Sequence, residues 1–497
     1  MTVIHVCHAI DIHSSHLPIV FTDCYVLWPI IESLRKHKGP HYLYYFDYLG
    51  EHSIQEILAG KRVLTGASCF DEPIYNWHIK NPFEIPPPTS REDLNILNLD
   101  STLLYNVATF GQLIVNTTCG TLIGLEFTTG NGRIVAAFHG IPFAKPPLGE
   151  LRFQDPQPSE AWPGVREAYN FGSVCVQIPI IYPPVSTTKM GNEDCLYLSV
   201  YSPNLKPTKL LPVVVYIHGG ELMSGSGEID KSPEFLLNYD IVVVMPNFRI
   251  GVLGFLTLED DIMPGNMALK DQVMALVWLQ NNIASFGGDP NQVTLFGDTA
   301  GAGFVHYHMY SPMSRGLFHG AISLTGTALA SWANTPPGVA RSRAIKMAEL
   351  FNCPTDSSLA IWNCLRTKNA YELTESYRKF VVFQVDPIIV FTAIFDKNAS
   401  NPFLPFNPHN AEPAPVPWSV GLTSLSGLLR SAAFVPNPTS LVQYDKCFLQ
   451  AVPRTLLFDT TASNPEQVAR QLREYYFDDQ PITMDLFQNL TDAFIPG

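Results

Sequence analysis

The sequence predicts an α/β protein with a mostly parallel central sheet, and three observations carry that expectation. The runs Pro212 to Ile217 and Ile241 to Pro246 are continuously apolar and rich in β-branched residues, as strands covered on both faces are. Leu269 to Ala284 follows with its apolar residues at helical spacing. A further strand-like run, Val293 to Phe296, leads into a helical pattern that starts near Ala300. Strands that alternate with helices along a chain pair in parallel through crossovers.

Size and composition suit one large unit. The 497 residues, 46% of them hydrophobic, supply an ample core. No Gly/Ser linker, low-complexity run or internal repeat divides the chain, and the nearest thing to a boundary is the proline-rich stretch Pro82 to Pro88. The net charge is −14 with no Lys/Arg cluster, which argues against nucleic acid or an anionic membrane surface as partner. No apolar stretch approaches the length of a membrane span. Met1 to Ile31 has histidines and aspartates breaking its apolar runs and no basic start, so no signal peptide is expected there. The nine cysteines lack the spacing of a zinc site, and neither a metal nor a cofactor is expected.

The sharpest local signal is Gly297-Asp298-Thr299-Ala300-Gly301, between the predicted strand and the predicted helix. It has the frame of the Gly-x-Ser-x-Gly nucleophile elbow, with threonine at the centre. Such a turn holds its central residue at strained backbone angles while the glycines let strand and helix approach. A β-branched residue is a poor occupant at positive φ. The turn must therefore either accept strain or relax.

The elbow frame does not stand alone. Phe138 to Gly149 (FHGIPFAKPPLG), Asn192 to Leu198 (NEDCLYL), Ile217-His218-Gly219-Gly220, Asn247 to Phe255 (NFRIGVLGF) and Phe286 to Asn291 (FGGDPN) occur in this order around it. Together they resemble the type-B carboxylesterase and cholinesterase family, most closely its insect esterases, from about Gly120 to the C-terminus. The resemblance implies an α/β-hydrolase fold in which a Ser-His-Glu triad hydrolyses carboxylic esters beside an oxyanion hole of backbone amides. It also implies disulfides Cys175–Cys195 and Cys353–Cys364, buried ion pairs Arg152–Glu193 and Arg249–Asp271, and an ordered surface loop over Asn401 to Pro417. The leftover thiols are Cys7, Cys24, Cys69, Cys119 and Cys447.

At the chemistry the chain departs from the family. Ester hydrolysis needs a nucleophile, a base, an acid that orients the base, and donors for the oxyanion. The nucleophile position is Thr299. The residue matching the family glutamate is Ser426, which carries no charge to hold an imidazolium. In the expected oxyanion hole of Gly219, Gly220, Glu221 and Ala300, the Glu221 carboxylate opposes the negative charge such a hole receives. The chain ends too soon after Ser426 to reach the family histidine.

That histidine segment is matched at the other end. His41 to Tyr48 resembles an aromatic strand of the family's C-terminal region, and Gly66 to Glu72 resembles the stretch that carries the histidine, with Cys69 in its place. The chain thus divides into residues 1–110, similar to a family C-terminal part, and 111–497, an esterase domain without its own end. Two arrangements account for this: a fusion of the tail of one esterase to most of the next, or an esterase in permuted order. Permuted order predicts that the strand around Tyr42 to Tyr48 pairs with a sheet edge and that Cys69 comes near Thr299.

Three functional expectations follow. A non-catalytic esterase-fold protein would bind a hydrophobic small-molecule ester or a partner protein. A weak carboxylic ester hydrolase would use Thr299. A fused or decayed gene product would have no function of its own. His306 and His308, just past the elbow, are candidates for a substitute base, although a helix carries them away from its first turn. Family resemblance implies secretion, and sequons stand at Asn116, Asn398 and Asn489.

Overall fold

The computed structural model describes residues 113–423, with gaps at 179–189, 228–231, 331, 382–386 and 388, together with positions 30, 33, 36–39 and 41–46. Its main sheet has nine strands. In chain order these are β1 (His41–Phe46), β4 (Leu125–Thr128), β5 (Ile134–Pro142), β7 (Tyr197–Ser202), β8 (Leu211–Ile217), β9 (Val242–Pro246), β10 (Gly288–Asp298), β11 (Gly320–Leu324) and β12 (Trp418–Thr423). Across the sheet their order is β1-β12-β11-β10-β8-β9-β7-β5-β4, and β2 (Ile114–Thr117), β3 (Gly120–Ile123) and β6 (Val165–Glu167) form a smaller sheet.

The half of the main sheet from β9 to β1 is parallel throughout, while β4, β5, β7 and β9 pair antiparallel. The sheet is thus mostly parallel, as expected, with an antiparallel portion at one side. The apolar runs explain the division. Central strands β8, β9 and β10 bury Val213, Val215, Ile217, Val242, Val243, Val244, Val293 and Leu295 almost completely, and only crossover helices cover both faces of a strand in this way.

The elements predicted from the sequence fall within a few residues of those observed. The helix expected over 269–284 spans Met267–Asn282 and continues as a short 3-10 turn. Its sides are buried beyond the apolar stripe: Lys270, Asp271 and Gln272 have almost no exposure. Each has a polar partner, as buried charge requires. Lys270 Nζ lies 2.6 Å from Asp155, Asp271 receives the Arg249 guanidinium through two bonds of 2.8 and 2.7 Å, and Gln272 Oε1 is 2.9 Å from His308 Nε2. Arg152 likewise grips Glu193 through Nε at 2.7 Å and Nη2.

Both implied disulfides, Cys175–Cys195 and Cys353–Cys364, are formed. Cys119 is a free, partly exposed thiol beside Ser159. The loop over Asn401 to Pro417 is held down by Phe403 and Leu404, whose amides donate to the buried Asp396 carboxylate. The strand expected near Tyr42 to Tyr48 is β1, at one edge of the sheet and parallel to β12 over six residues, from His41 opposite Trp418 to Phe46 opposite Thr423. Cys69 lies outside the described residues.

Candidate active site

β10 runs into the elbow and the buried helix Ala300–Tyr310 leaves it, so residue 299 sits beyond the carboxyl end of the parallel strands. This is where open α/β sheets place their ligands. Thr299 has φ 50° and ψ −113°. The elbow has not relaxed. It holds a β-branched residue at angles that cost on the order of 1–3 kcal/mol.

The surroundings over-determine that geometry. A Cβ added to Gly301 would lie 2.1 Å from the Ile217 carbonyl oxygen and 2.9 Å from that of His218, and one on Gly297 would lie 2.3 Å from the Gly301 oxygen. Both glycines of the frame are places where backbone touches backbone. The Thr299 amide donates to the Leu324 carbonyl at 2.8 Å and its own carbonyl accepts from Gly303. A Cβ on Gly219 would come 2.2 Å from Thr299 Oγ1, so the hydroxyl rests over the face that this glycine leaves open.

The loop after β8 gives the site its second wall. Ser224 and Met223 donate their amides to the Gly220 carbonyl, which curls the chain so that Glu221 and Leu222 take left-handed φ values of 56° and 59°. The Gly220 N–H has no acceptor among the described residues, and the Ala300 N–H belongs to the first turn of a helix, where intrahelical acceptors are lacking. Of the residues expected in the oxyanion hole, Gly219 faces the Thr299 hydroxyl and Ala300 follows Thr299 at the start of the helix. Glu221, next along the loop, is one of the groups, after burial, that push the Tyr377 phenol up.

His218, His306 and His308 each have contacts of their own. His218 stacks on Phe248 at 4.0 Å and donates Nδ1–H to the Gly219 carbonyl. His306 is fully buried, accepts the Ala328 amide at Nδ1 and stacks on Trp418 at 4.4 Å. His308 contacts the Ser314 hydroxyl and Gln272. Burial lowers both to about 3, with the charges of His37 and Lys36 adding to the effect at His306. Such rings stay neutral at neutral pH and are weak proton acceptors, which argues against either as a substitute base.

Residues 111–495 match the model of the carboxylesterase family. The chain belongs to this family. Among its relatives are the venom carboxylesterase-6 of Apis mellifera, 37% identical over 385 residues that make up 76% of this chain and 68% of the relative, and the juvenile hormone esterase of Tribolium castaneum, 37% identical over 73% of this chain and 63% of the relative. The acetylcholinesterase of Bungarus fasciatus is 39% identical over 56% of this chain and 48% of its own length. Carboxylesterases have the α/β-hydrolase fold, and the mixed sheet flanked by helices agrees with it.

Of the triad positions expected from the family resemblance, Thr299 is at the elbow, while Ser426 and Cys69 lie outside the described residues, as does Asn489. Asn116 and Asn398 are exposed. Among the described residues no group of acidic, histidine and cysteine side chains has the geometry to hold a metal ion, and no helix is long and apolar enough to cross a membrane. What the sequence did not signal is the polar layer behind the elbow, where Asp298 accepts the Tyr216 hydroxyl at 2.7 Å and the two histidines are buried. A polar residue inside an apolar run is the only trace such a layer leaves.

Proposed function

We propose that this chain is a non-catalytic carboxylesterase that binds a hydrophobic small-molecule ester, or a partner protein, through the surface around the elbow without turning the ester over. The observation that carries the proposal is the elbow itself: Thr299 keeps the strained angles of a nucleophile while His218, His306 and His308 each contact other groups. On this reading Ser426 and Cys69 take the places of the family acid and base, and a hydroxyl with no base stays protonated and weakly nucleophilic. Removal of triad members leaves only the residual catalysis of binding and oxyanion contacts. Two disulfides suit an oxidising, extracellular setting, with glycans at Asn116, Asn398 and Asn489.

A second reading, slow ester hydrolysis by Thr299, is favoured by the hydroxyl over Gly219 next to the Gly220 and Ala300 amides and by relatives named as esterases. Turnover of a chromogenic short-chain ester by the purified chain, by Thr299→Ala and by Thr299→Ser separates the two. Binding without turnover predicts equal background rates for all three. A wild-type rate that drops about a hundredfold or more in Thr299→Ala establishes hydrolysis and rejects the proposal.

A further inference from the structure

The sheet is continued past β12 by the beginning of the chain. β12 bonds β11 on one side and β1 on the other, both in parallel. Without β1, the second side of β12 would be a bare row of amides and carbonyls, the kind of edge that proteins cover. The residues just before β1 dock on the same place. Ile30, Ser33 and His37 are buried, and the His37 ring meets Trp418 edge-on at 5.4 Å. Trp418 is itself fully buried, with His306 stacked on it.

Polar contacts fix the approach. Lys36 Nζ donates to the His409 carbonyl at 2.6 Å, and Lys38 pairs with Glu412. That pair is mostly exposed and contributes little by itself. Gly39 passes so near the Pro415 backbone that a Cβ there would lie 2.6 Å from its oxygen. The contact therefore involves one loop, 409–415, one strand, β12, and one buried aromatic residue, all met by a single stretch of chain.

We infer that β1, with Ile30, Ser33 and positions 36–39 before it, is a strand-donating arm, and that the body from residue 113 to 423 offers the edge of β12 and the Trp418 wall as its acceptor, so that the sheet is extended in permuted order by a segment that precedes the body in the chain. The recognition is β-augmentation: main-chain bonds supply the strand pairing, and burial of Ile30, Ser33 and His37 supplies the side-chain anchor. The inference concerns how the chain is assembled, and it stands whether or not Thr299 hydrolyses esters.

Two experiments on the full chain test it. In the first, a protease site is inserted after Asp100 and cut in the folded protein. The N-terminal piece should then co-elute with the body on gel filtration and melt with it in one transition. Its separation, with the melting temperature of the body unchanged, overturns the inference. In the second, hydrogen exchange of the Trp418–Thr423 amides is compared in Leu43→Pro and Tyr44→Pro. Alternate residues of an edge strand face its one neighbour, so one of these two prolines removes a ladder bond and the adjacent one does not. One variant should speed exchange in β12 about tenfold or more and its neighbour much less. Wild-type exchange in both rules out a docked arm.

Discussion

The buried histidine behind the elbow gives a prediction whose size follows from its surroundings. His308 is sealed between the Ser314 hydroxyl at 2.7 Å and Gln272 Oε1 at 2.9 Å, with the Phe403 ring edge-on to it, and burial lowers its pKa from 6.5 to about 3. In the unfolded chain the same ring takes up a proton as the pH falls through about 6.5. Between that value and about pH 3 the unfolded state holds the extra proton, so stability falls as the pH falls. At about pH 4.5, roughly two units below the unfolded pKa, the loss is about 3 kcal/mol.

His308→Gln removes that proton site and keeps a polar side chain. Urea unfolding of the wild type and the variant at about pH 7.5 and pH 4.5 should show the variant losing about 3 kcal/mol less over the interval, whatever its stability at neutral pH. Equal pH dependence in the two proteins would mean that His308 is protonated in the fold. That result would refute the burial argument and reopen the ring as a candidate base. His306, lowered to about 3 by the same cause and by its cationic neighbours, has the same sign.

Two further perturbations test the frame of the site. Gly301→Ala drives a methyl into the Ile217 carbonyl, which sits in the central strand and has nowhere to go. A loss of about 1–3 kcal/mol or more in thermal unfolding is expected, and an unchanged melting temperature would contradict the close packing of helix on strand. Arg249→Met strands the Asp271 carboxylate, which burial already drives up in pKa against the pull of Arg249. A loss of about 3–5 kcal/mol is expected, largely recovered when Asp271→Leu is added. Failure of the second substitution to recover stability would mean that Arg249 acts through some other contact.

The sequence alone determined the fold class and the position of the elbow, because both are written in local patterns. Continuous β-branched runs such as Pro212 to Ile217 have few outcomes other than a buried strand, and the two glycines of the 297–301 frame mark where strand and helix touch. It also determined that a threonine stands at the centre of the elbow frame, at position 299, which is a matter of residue identity. The direction of pairing was only partly legible. β7 is as buried as β8 and β9, and its burial carries no sign that it meets β9 antiparallel while β8 meets β9 in parallel.

Tertiary structure decided the rest, since those features depend on contacts between segments far apart in sequence. Whether the elbow accepts strain or relaxes depends on what presses on it, and the Leu324 and Ile217 backbones hold Thr299 at φ 50°. Lys270, Asp271 and Gln272 look like the solvated face of a helix until Asp155, Arg249 and His308 are brought against them. The role of the first segment, too, is visible only as a contact. Nothing local in His41 to Phe46 names Trp418 to Thr423 as its partner, because a β-strand is completed by whichever edge the fold leaves open to it.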